Sequence, residues 1–247
     1  MKAVILAAGV ASRLRPLTDT TPKALLPVGG EPLLGRTLRG LAANGLRRIV
    51  IVTGYRAGRI RSYVAAAFPG LSVAFVHNPV YETTNNIYSL WLAREEVRGA
   101  GMVLLDGDIL FDDRILGLLL HSGDEACLAA DTRPGLGEEE MKVAVDGVGR
   151  IRTISKTIPP AEAYGESIGI ELFGPNALGA LYDEIGHWVV RRGEVGVFYE
   201  AAFQSWIDRG GVMRAVSIGA HKAIEIDTAE DFKTAERTVL PFLGRTS

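Results

Sequence analysis

The sequence predicts an α/β fold: a mixed but mostly parallel sheet with helices on both faces. Three observations predict it. Apolar runs at 3–6, 49–52, 73–76 and 102–105 are short and nearly continuous rather than alternating, as in strands covered on both sides. Stretches with helical spacing lie between them, and that alternation is the signature of the class. After Asp108 the pattern shifts to strands separated by turns, a mixed-sheet extension of the parallel core.

The first run, Ala3-Val4-Ile5-Leu6, ends at Gly9 without a secretory cleavage pattern, and so reads as a strand. A helix over 33–44 places leucines at 34, 38 and 41 and stops before Gly45. A second, over 59–68, ends at Pro69-Gly70, and a third, over 87–97, sets Leu90, Leu92 and Val97 among charged residues. Strands follow at 142–146, 150–155 and 167–173, with turns at Asp146-Gly147 and Pro159-Pro160. Helices at 176–185 and 199–208 precede a strand pair at 213–217 and 223–226. A closing helix starts after Thr228, with Asp231 three residues on, close to a capping box. No repeat or low-complexity linker divides the 247 residues, so one domain is expected, with halves at 1–110 and 111–247.

Lys+Arg is 27 and Asp+Glu 29, a net charge of −2. That balance excludes a nucleic-acid coat, which selects for basic surfaces, but leaves room for one nucleotide in a cleft. The single cysteine, Cys127, makes no intramolecular disulfide or cysteine-rich zinc site and reads as a small core residue. A reducing, cytoplasmic setting is the simplest expectation. No run has the length of a membrane span.

Chemistry concentrates where strands end. After the first strand come Leu6, Ala7, Ala8 and Gly9, then Ser12, Arg13, Arg15 and Lys23. Small residues let backbone N–H groups approach a phosphate, and the side chains add donors and positive charge, as a triphosphate requires. The alternative is a plain turn with solvated cations. Neither a Walker A Gly-Lys-Ser/Thr nor a G-x-G-x-x-G is present. The run 102–105 ends in Asp106-Gly107-Asp108, two carboxylates of the kind that suits Mg²⁺, at the strand end where open sheets place ligands; a solvated turn is the alternative. Glu225-Ile226-Asp227-Thr228 ends the last strand, where a carboxylate also favours the following helix N-terminus.

The stretch 3–32, with Leu6-Ala7-Ala8-Gly9, Ser12-Arg13-Leu14, Pro16-Leu17-Thr18, Pro22-Lys23-Ala24-Leu25 and Pro27-Val28, resembles the N-terminal signature of nucleotidyltransferases that join an NTP to a phosphorylated small molecule. Ala11 departs from that family's usual glycine, which implies a slightly altered loop. The resemblance implies a three-layer Rossmann-like fold of the nucleotide-diphospho-sugar transferase type. It implies Arg13 and Lys23 on the nucleotide phosphates, with Leu6, Ala7, Ala8, Gly9 and Ser12 lining the nucleotide site. Asp108 and Asp227 become the Mg²⁺ ligands, and Asp106 their supporting neighbour. Ala223-Ile224 stands where the family often has an aromatic residue before Glu-Ile-Asp.

Asn85-Asn86-Ile87-Tyr88-Ser89-Leu90 resembles the N-N-x-Y-S-L segment of cytidylyltransferases that act on phosphocholine and related phosphoalcohols or phosphonates. This implies that Asn85, Asn86 and Ser89 face a pyrimidine; on residue type alone they are helix caps. Glu140-Met141-Lys142-Val143, Ile154-Ser155-Lys156 and Gly165-Glu166-Ser167-Ile168-Gly169-Ile170 resemble a series in the same enzymes. By that resemblance Lys156 holds the acceptor's phosphate, while Lys142, Glu166 and Glu200 join the acceptor site. For an isolated lysine the other reading is a solvated strand residue. Tyr88, Trp91, Trp188, Tyr199 and Trp206 could face a quaternary ammonium, though Trp91, Tyr199 and Trp206 fall on expected helices and read as core. With 20 residues after Asp227, the left-handed β-helix of some sugar nucleotidyltransferases is not expected.

The expectation is therefore an enzyme that transfers CMP from CTP to a phosphorylated alcohol, phosphonate or sugar, acting as a monomer or homodimer. A uridylyl-, thymidylyl- or guanylyltransferase acting on sugar 1-phosphates is the near alternative. An inert nucleotide-binding regulatory protein is the alternative of another class.

Overall fold

The computed structural model describes residues 1–243 of the chain. Strand β1 (Lys2–Ala7) leads through a long loop to the short strands β2 (Pro27–Val28) and β3 (Glu31–Pro32). Helix α1 (Leu33–Ala43), strand β4 (Arg48–Thr53), helix α2 (Ala57–Ala67) and strand β5 (Ser72–His77) continue the alternation. Next come α3 (Asn86–Leu92), α4 (Arg94–Val97), β6 (Met102–Asp106), β7 (Ile109–Phe111), α5 (Arg114–Leu120) and β8 (Ala126–Asp131). The chain continues through β9 (Lys142–Val145), β10 (Ile151–Ser155), β11 (Gly165–Phe173), α6 (Pro175–Gly186), α7 (Glu200–Asp208), β12 (Arg214–Ser217), β13 (Ala223–Glu225) and α8 (Ala229–Thr234).

Nine strands form one sheet in the order β10-β9-β11-β6-β1-β4-β5, with β8 joined to β11 and β12 to β8. The β6-β1-β4-β5 half is parallel; β11 runs antiparallel to β6, β8 and β9. Each face of the sheet carries its own core. Val4 and Leu6 of β1 enter one apolar cluster and Ala3 and Ile5 the other. That two-sided burial is why the runs read as continuous rather than alternating. Helix α1 presses Leu34, Leu38 and Leu41 onto the second face. The expected capping box is present: the Thr228 hydroxyl accepts from Asp231 N–H, and the Asp231 carboxylate accepts from Thr228 N–H at 2.7 Å.

Two stretches differ from expectation. The helix over 87–97 breaks at Ala93, where the N–H turns back to Leu90 and Arg94 takes the Trp91 carbonyl. Between 109 and 131 the chain forms β7, α5 and β8, none of them legible in the sequence. The first two are too short to show a period, and β8 is built from small residues. Cys127 lies in β8, fully buried, its thiol pushed up to about 11 by burial. Among the described residues no helix is long and apolar enough to cross a membrane.

Candidate active site

The loop after β1 is anchored from both ends. Leu14 is buried in a small third cluster with Leu26, Val28 and Ile226. The Thr18 hydroxyl donates to the Ala11 carbonyl at 2.9 Å. Ala11 sits at φ 52°, ψ 54°, a left-handed conformation that glycine adopts without the Cβ penalty. Its side chain is small enough for the turn to keep that shape. Ser12 and Arg13 stand exposed on the following turn. Ala8 lies just beneath, its carbonyl accepting from Tyr55 N–H. Leu6, Ala7, Gly9 and Lys23 line an open cleft of about 210 Å³, closed on its other side by Gly107, Asp108 and Asp227.

Gly107 is fixed by close approach: a Cβ there would lie 2.6 Å from the Leu6 carbonyl oxygen. The Asp-Gly-Asp turn can therefore press against β1 and send Asp108 over the cleft. Beyond it β7 pairs with β13, Ile109 opposite Glu225, and Ile226 N–H donates to the Asp108 carbonyl at 3.1 Å. This ribbon brings Asp108 and Asp227 together. Lys23 Nζ bridges them, 2.8 Å from Asp108 and 2.5 Å from Asp227, and Arg13 meets Asp227 at 2.6 Å. Burial alone would raise Asp227, but Lys23 and Arg13 outweigh it and hold the carboxyl below its ordinary value. Burial would likewise lower Lys23, and the two aspartates raise it instead.

Asp108, Glu225 and Asp227 offer carboxylate oxygens all within 4.8 Å of one another. One oxygen of Asp108 is buried without a partner. Hard oxygen donors at this spacing fit a divalent cation such as Mg²⁺. Glu225 joins the set although only Asp227 was expected there.

A second acidic group lies deeper. Tyr199 donates its hydroxyl to Asp106 at 2.9 Å and lies 3.5 Å from Glu171. Glu171 and Glu200 are buried, each with one carboxylate oxygen lacking a partner. Burial, reinforced by neighbouring carboxylates, drives Asp106 and Glu171 well above their ordinary values. Burial also lifts Glu200 to about 7, against the pull of Lys156. Lys156 itself is exposed, its ammonium 5.3 Å over the Phe198 ring, and its charge is felt at Glu200 and at Asp227. It stands on the turn just after β10.

The raised Glu200 makes stability depend on pH. Between the unfolded value near 4.5 and about 7 the native chain holds the extra proton, so stability falls as pH rises through that window. A carboxyl displaced that far is worth up to about 3 kcal/mol. The melting temperature is expected to drop by several degrees from pH 5 to pH 8, and Glu200→Gln to flatten that slope. An unchanged slope in the variant would remove Glu200 as its source.

Other expected residues have different partners. Lys142 is completely buried, and its ammonium donates to the carbonyls of Gly137, Glu138 and Glu140. It ties down the loop before β9 and is neither solvated nor free for an acceptor. Ser89 is buried and accepts from Asn78 at 3.1 Å, which withdraws it from any base. The Asn85 side chain caps α3, and Asn86 Oδ1 accepts from Tyr199 N–H at 2.8 Å. The pair links α3 to the start of α7. Glu166 is half-buried and lifted to about 7 by burial and by Glu140 and Asp131, beside Arg133 and Lys142.

Tyr199, Glu171 and Glu225 are the participants that sequence reading missed. Glu225 stood in the quoted Glu-Ile-Asp-Thr; Tyr199 looked like a core aromatic; Glu171, inside a strand, carried no signal.

A family model described as the MobA-like NTP transferase domain matches residues 3–166. The CMP-5'-(3-aminopropyl)phosphonate synthase of Streptomyces rubellomurinus is 37% identical over 150 residues, 60% of this chain and 24% of that protein. The choline-phosphate cytidylyltransferase of Streptococcus pneumoniae is 40% identical over 108 residues, 44% of each chain. The match thus spans less than half the length of either relative. The solved CTP:phosphocholine cytidylyltransferase of Streptococcus pneumoniae superposes with TM-score 0.78 at 23% identity, covering 95% of this chain and 97% of that one. The two share the fold of nucleotide-diphospho-sugar transferases.

Proposed function

Because the chain belongs to the MobA-like NTP transferase family, we propose that it transfers CMP from CTP to a small phosphorylated alcohol or phosphonate and releases pyrophosphate. The observation that carries this reading is the convergence of Lys23 and Arg13 on Asp108 and Asp227 at the mouth of the loop after β1. Cations and carboxylates meet there as a triphosphate and its metal would require. The cytidylyltransferase activity of the relatives supports the choice of base.

Residues 1–110 would hold the nucleotide and 111–247 the acceptor. An acceptor phosphate or phosphonate oxygen forms the bond to the α-phosphorus, and the bond to the β-phosphate oxygen breaks. The attacking group is an anion already, so no general base is needed. Lys23 and Arg13 take the charge of the β- and γ-phosphates, and Lys156 steadies the acceptor. Asp108, Glu225 and Asp227 would hold Mg²⁺, which when bound neutralises charge on the reacting phosphates. The protein's own part is positioning and electrostatics.

A matrix of the four NTPs against phosphorylated acceptors, read by pyrophosphate release with an EDTA control, tests this. CTP is expected to exceed UTP at least about tenfold, since one unpaired polar edge costs about 1–3 kcal/mol. Preference for GTP, or equal use of CTP and UTP, overturns the cytidylyl reading. No turnover with any pair overturns the transferase reading.

Lys156→Ala is expected to raise the acceptor KM severalfold and leave the KM for CTP unchanged. Its ammonium is an exposed point charge, so the effect is smaller than at the aspartates. A change confined to CTP would move Lys156 to the triphosphate side.

A further inference from the structure

Among the described residues, Ala11 and Arg56 are the non-glycine positions with positive φ. Ala11 lies on the loop after β1 at φ 52°, and Arg56 directly precedes α2 at φ 49°, ψ 38°. A residue with a side chain is strained in this region and persists there where its surroundings over-determine it. The two are far apart in sequence, yet one chain of contacts joins them. The Thr18 hydroxyl donates to the Ala11 carbonyl at 2.9 Å. The Tyr55 hydroxyl lies 2.9 Å from the Thr18 carbonyl oxygen and 3.0 Å from that of Asp19. It accepts in turn from Arg56 Nε at 2.9 Å. The Arg56 guanidinium also donates to the Asp19 carbonyl and lies over the Tyr55 ring.

The loop has little other support on this side. Leu14 and Thr18 are buried, whereas residues 15–17, 19 and 20 are exposed. The Arg15–Asp19 ion pair is open to solvent at both partners and is a weak tie. Tyr55, by contrast, is firmly placed. Its N–H donates to the Ala8 carbonyl at 3.0 Å, and a Cβ on Gly54 would fall 2.6 Å from that same oxygen. The end of β4 is therefore pressed against the end of β1. The Tyr81 ring stands 6.5 Å from that of Tyr55. The half-buried phenol thus carries the rigidity of the sheet out to an exposed stretch of loop. That stretch separates Arg13 from Lys23, the two cations that meet Asp227.

We propose that Tyr55 and Arg56 are positioning residues of the nucleotide site: from the junction of β4 and α2 they latch the loop 10–22 and so set where Arg13 stands for the triphosphate. This inference rests on the transfer reading above and extends it to two residues that do not line the cleft. The strain at Arg56 fits the role. Its left-handed turn sets the guanidinium over Tyr55 and within reach of Asp19. A loop held in place before the nucleotide arrives loses no binding energy to ordering. The effect is selective by position. Arg13 and Lys23 serve the phosphates, so an unlatched loop weakens the hold on the β- and γ-phosphates. Recognition of the nucleoside and of the acceptor stays as it was.

The test compares the full chain with its Tyr55→Phe and Arg56→Ala variants in the presence of Mg²⁺. Phenylalanine keeps the ring and the backbone bond to Ala8 and removes only the hydroxyl. Each variant is expected to raise the KM for CTP about fivefold, as the loss of one or two hydrogen bonds implies, with the acceptor KM and the melting temperature unchanged. Arg56→Lys keeps the charge without the forked donor and should fall between Arg56→Ala and the wild type. Calorimetry distinguishes positioning from general damage: affinity for CTP should drop about fivefold and affinity for CMP less than about twofold. In deuterium exchange the Leu17 and Asp19 amides, bonded within the loop, should exchange faster in Tyr55→Phe while those of β1 and β4 keep their rates. Added to Arg13→Ala, Tyr55→Phe should change the KM for CTP by less than about twofold, because both act through one loop. Effects that multiply in the double variant, equal losses for CTP and CMP, or wild-type CTP binding in both single variants would each overturn the inference and leave nucleotidyl transfer standing. So would loop amides that exchange at the wild-type rate. Should no acceptor turn over, the transfer reading fails, and the two calorimetric titrations decide this one. Weakening confined to CTP supports it; any other result, absence of CTP binding included, overturns it. Should Tyr55→Phe fail to fold, Arg56→Ala, at an exposed position, carries every comparison in its place.

Discussion

Asp227→Asn and Asp108→Asn are each expected to cost at least about a hundredfold in turnover while leaving a folded protein. Losing one charge partner of a transition state costs about 3 kcal/mol, and each 1.36 kcal/mol is tenfold. Asparagine keeps the shape and hydrogen-bonding capacity but removes the charge a divalent ion needs. The fold should tolerate this because both side chains are partly open to solvent, at 26% and 32% exposure. Asp227→Asn also frees Arg13 and one arm of Lys23, so it should raise the KM for CTP more than Asp108→Asn does. The check is steady-state kinetics across a Mg²⁺ series beside thermal melts. Near-normal turnover at saturating Mg²⁺ in either variant would strike that residue from the metal set.

Lys23→Ala comes second in size. The ammonium is the only group that touches both aspartates among the described residues. Its removal leaves two facing carboxylates and a cleft without its buried cation. Removing one member of a buried pair costs about 3–5 kcal/mol; the part-exposed aspartates reduce that to about 1–2 kcal/mol here. Turnover should fall about a hundred- to a thousandfold, because on the proposed function the lost charge would also serve the triphosphate. The distinguishing sign lies in the melting curve. Added Mg²⁺ should raise the melting temperature of Lys23→Ala more than that of the wild type, because the ion then meets carboxylates with no competing ammonium. Equal Mg²⁺ shifts in both proteins would show that Lys23 and the ion do not share these oxygens.

Much of this arrangement is legible in the amino-acid sequence. Strands β1, β4 and β6 announce themselves because both of their faces are buried, β5 by its continuous apolar run at the half-buried sheet edge, and Thr228 and Asp231 announce the last helix. Arg13, Lys23, Asp108 and Asp227 stand out because each follows a strand end, where side chains converge on one edge of a sheet. What stays hidden has physical causes. Strand β8 is made of small residues that suit a crowded interior and carry weak propensity. Lys142 looks solvated because sequence does not say that a loop's carbonyls will wrap an ammonium. Asn86 looks like a base reader or a cap; its amide instead crosses to Tyr199, a contact between residues far apart in the chain. Glu171 draws no notice because a lone acid in a strand is ordinarily exposed, whereas β11 lies in the middle of a sheet covered on both faces.

The ribbon of β7 and β13 holds Asp108 beside Asp227 with three residue pairs, apart from the nine-stranded sheet. So small a unit can open while the sheet stays shut, since local opening free energies run from near zero up to the global value. The candidate site is therefore expected to open ahead of the body of the sheet. In deuterium exchange the amides of Ile226 and Asp112, bonded to Asp108 and Lys222, should exchange well before those of β1 and β4. Bound nucleotide and metal should slow those amides first. Loss of activity on mild heating would then precede loss of the fold and recover on cooling, because the sheet that directs the ribbon's return has not moved.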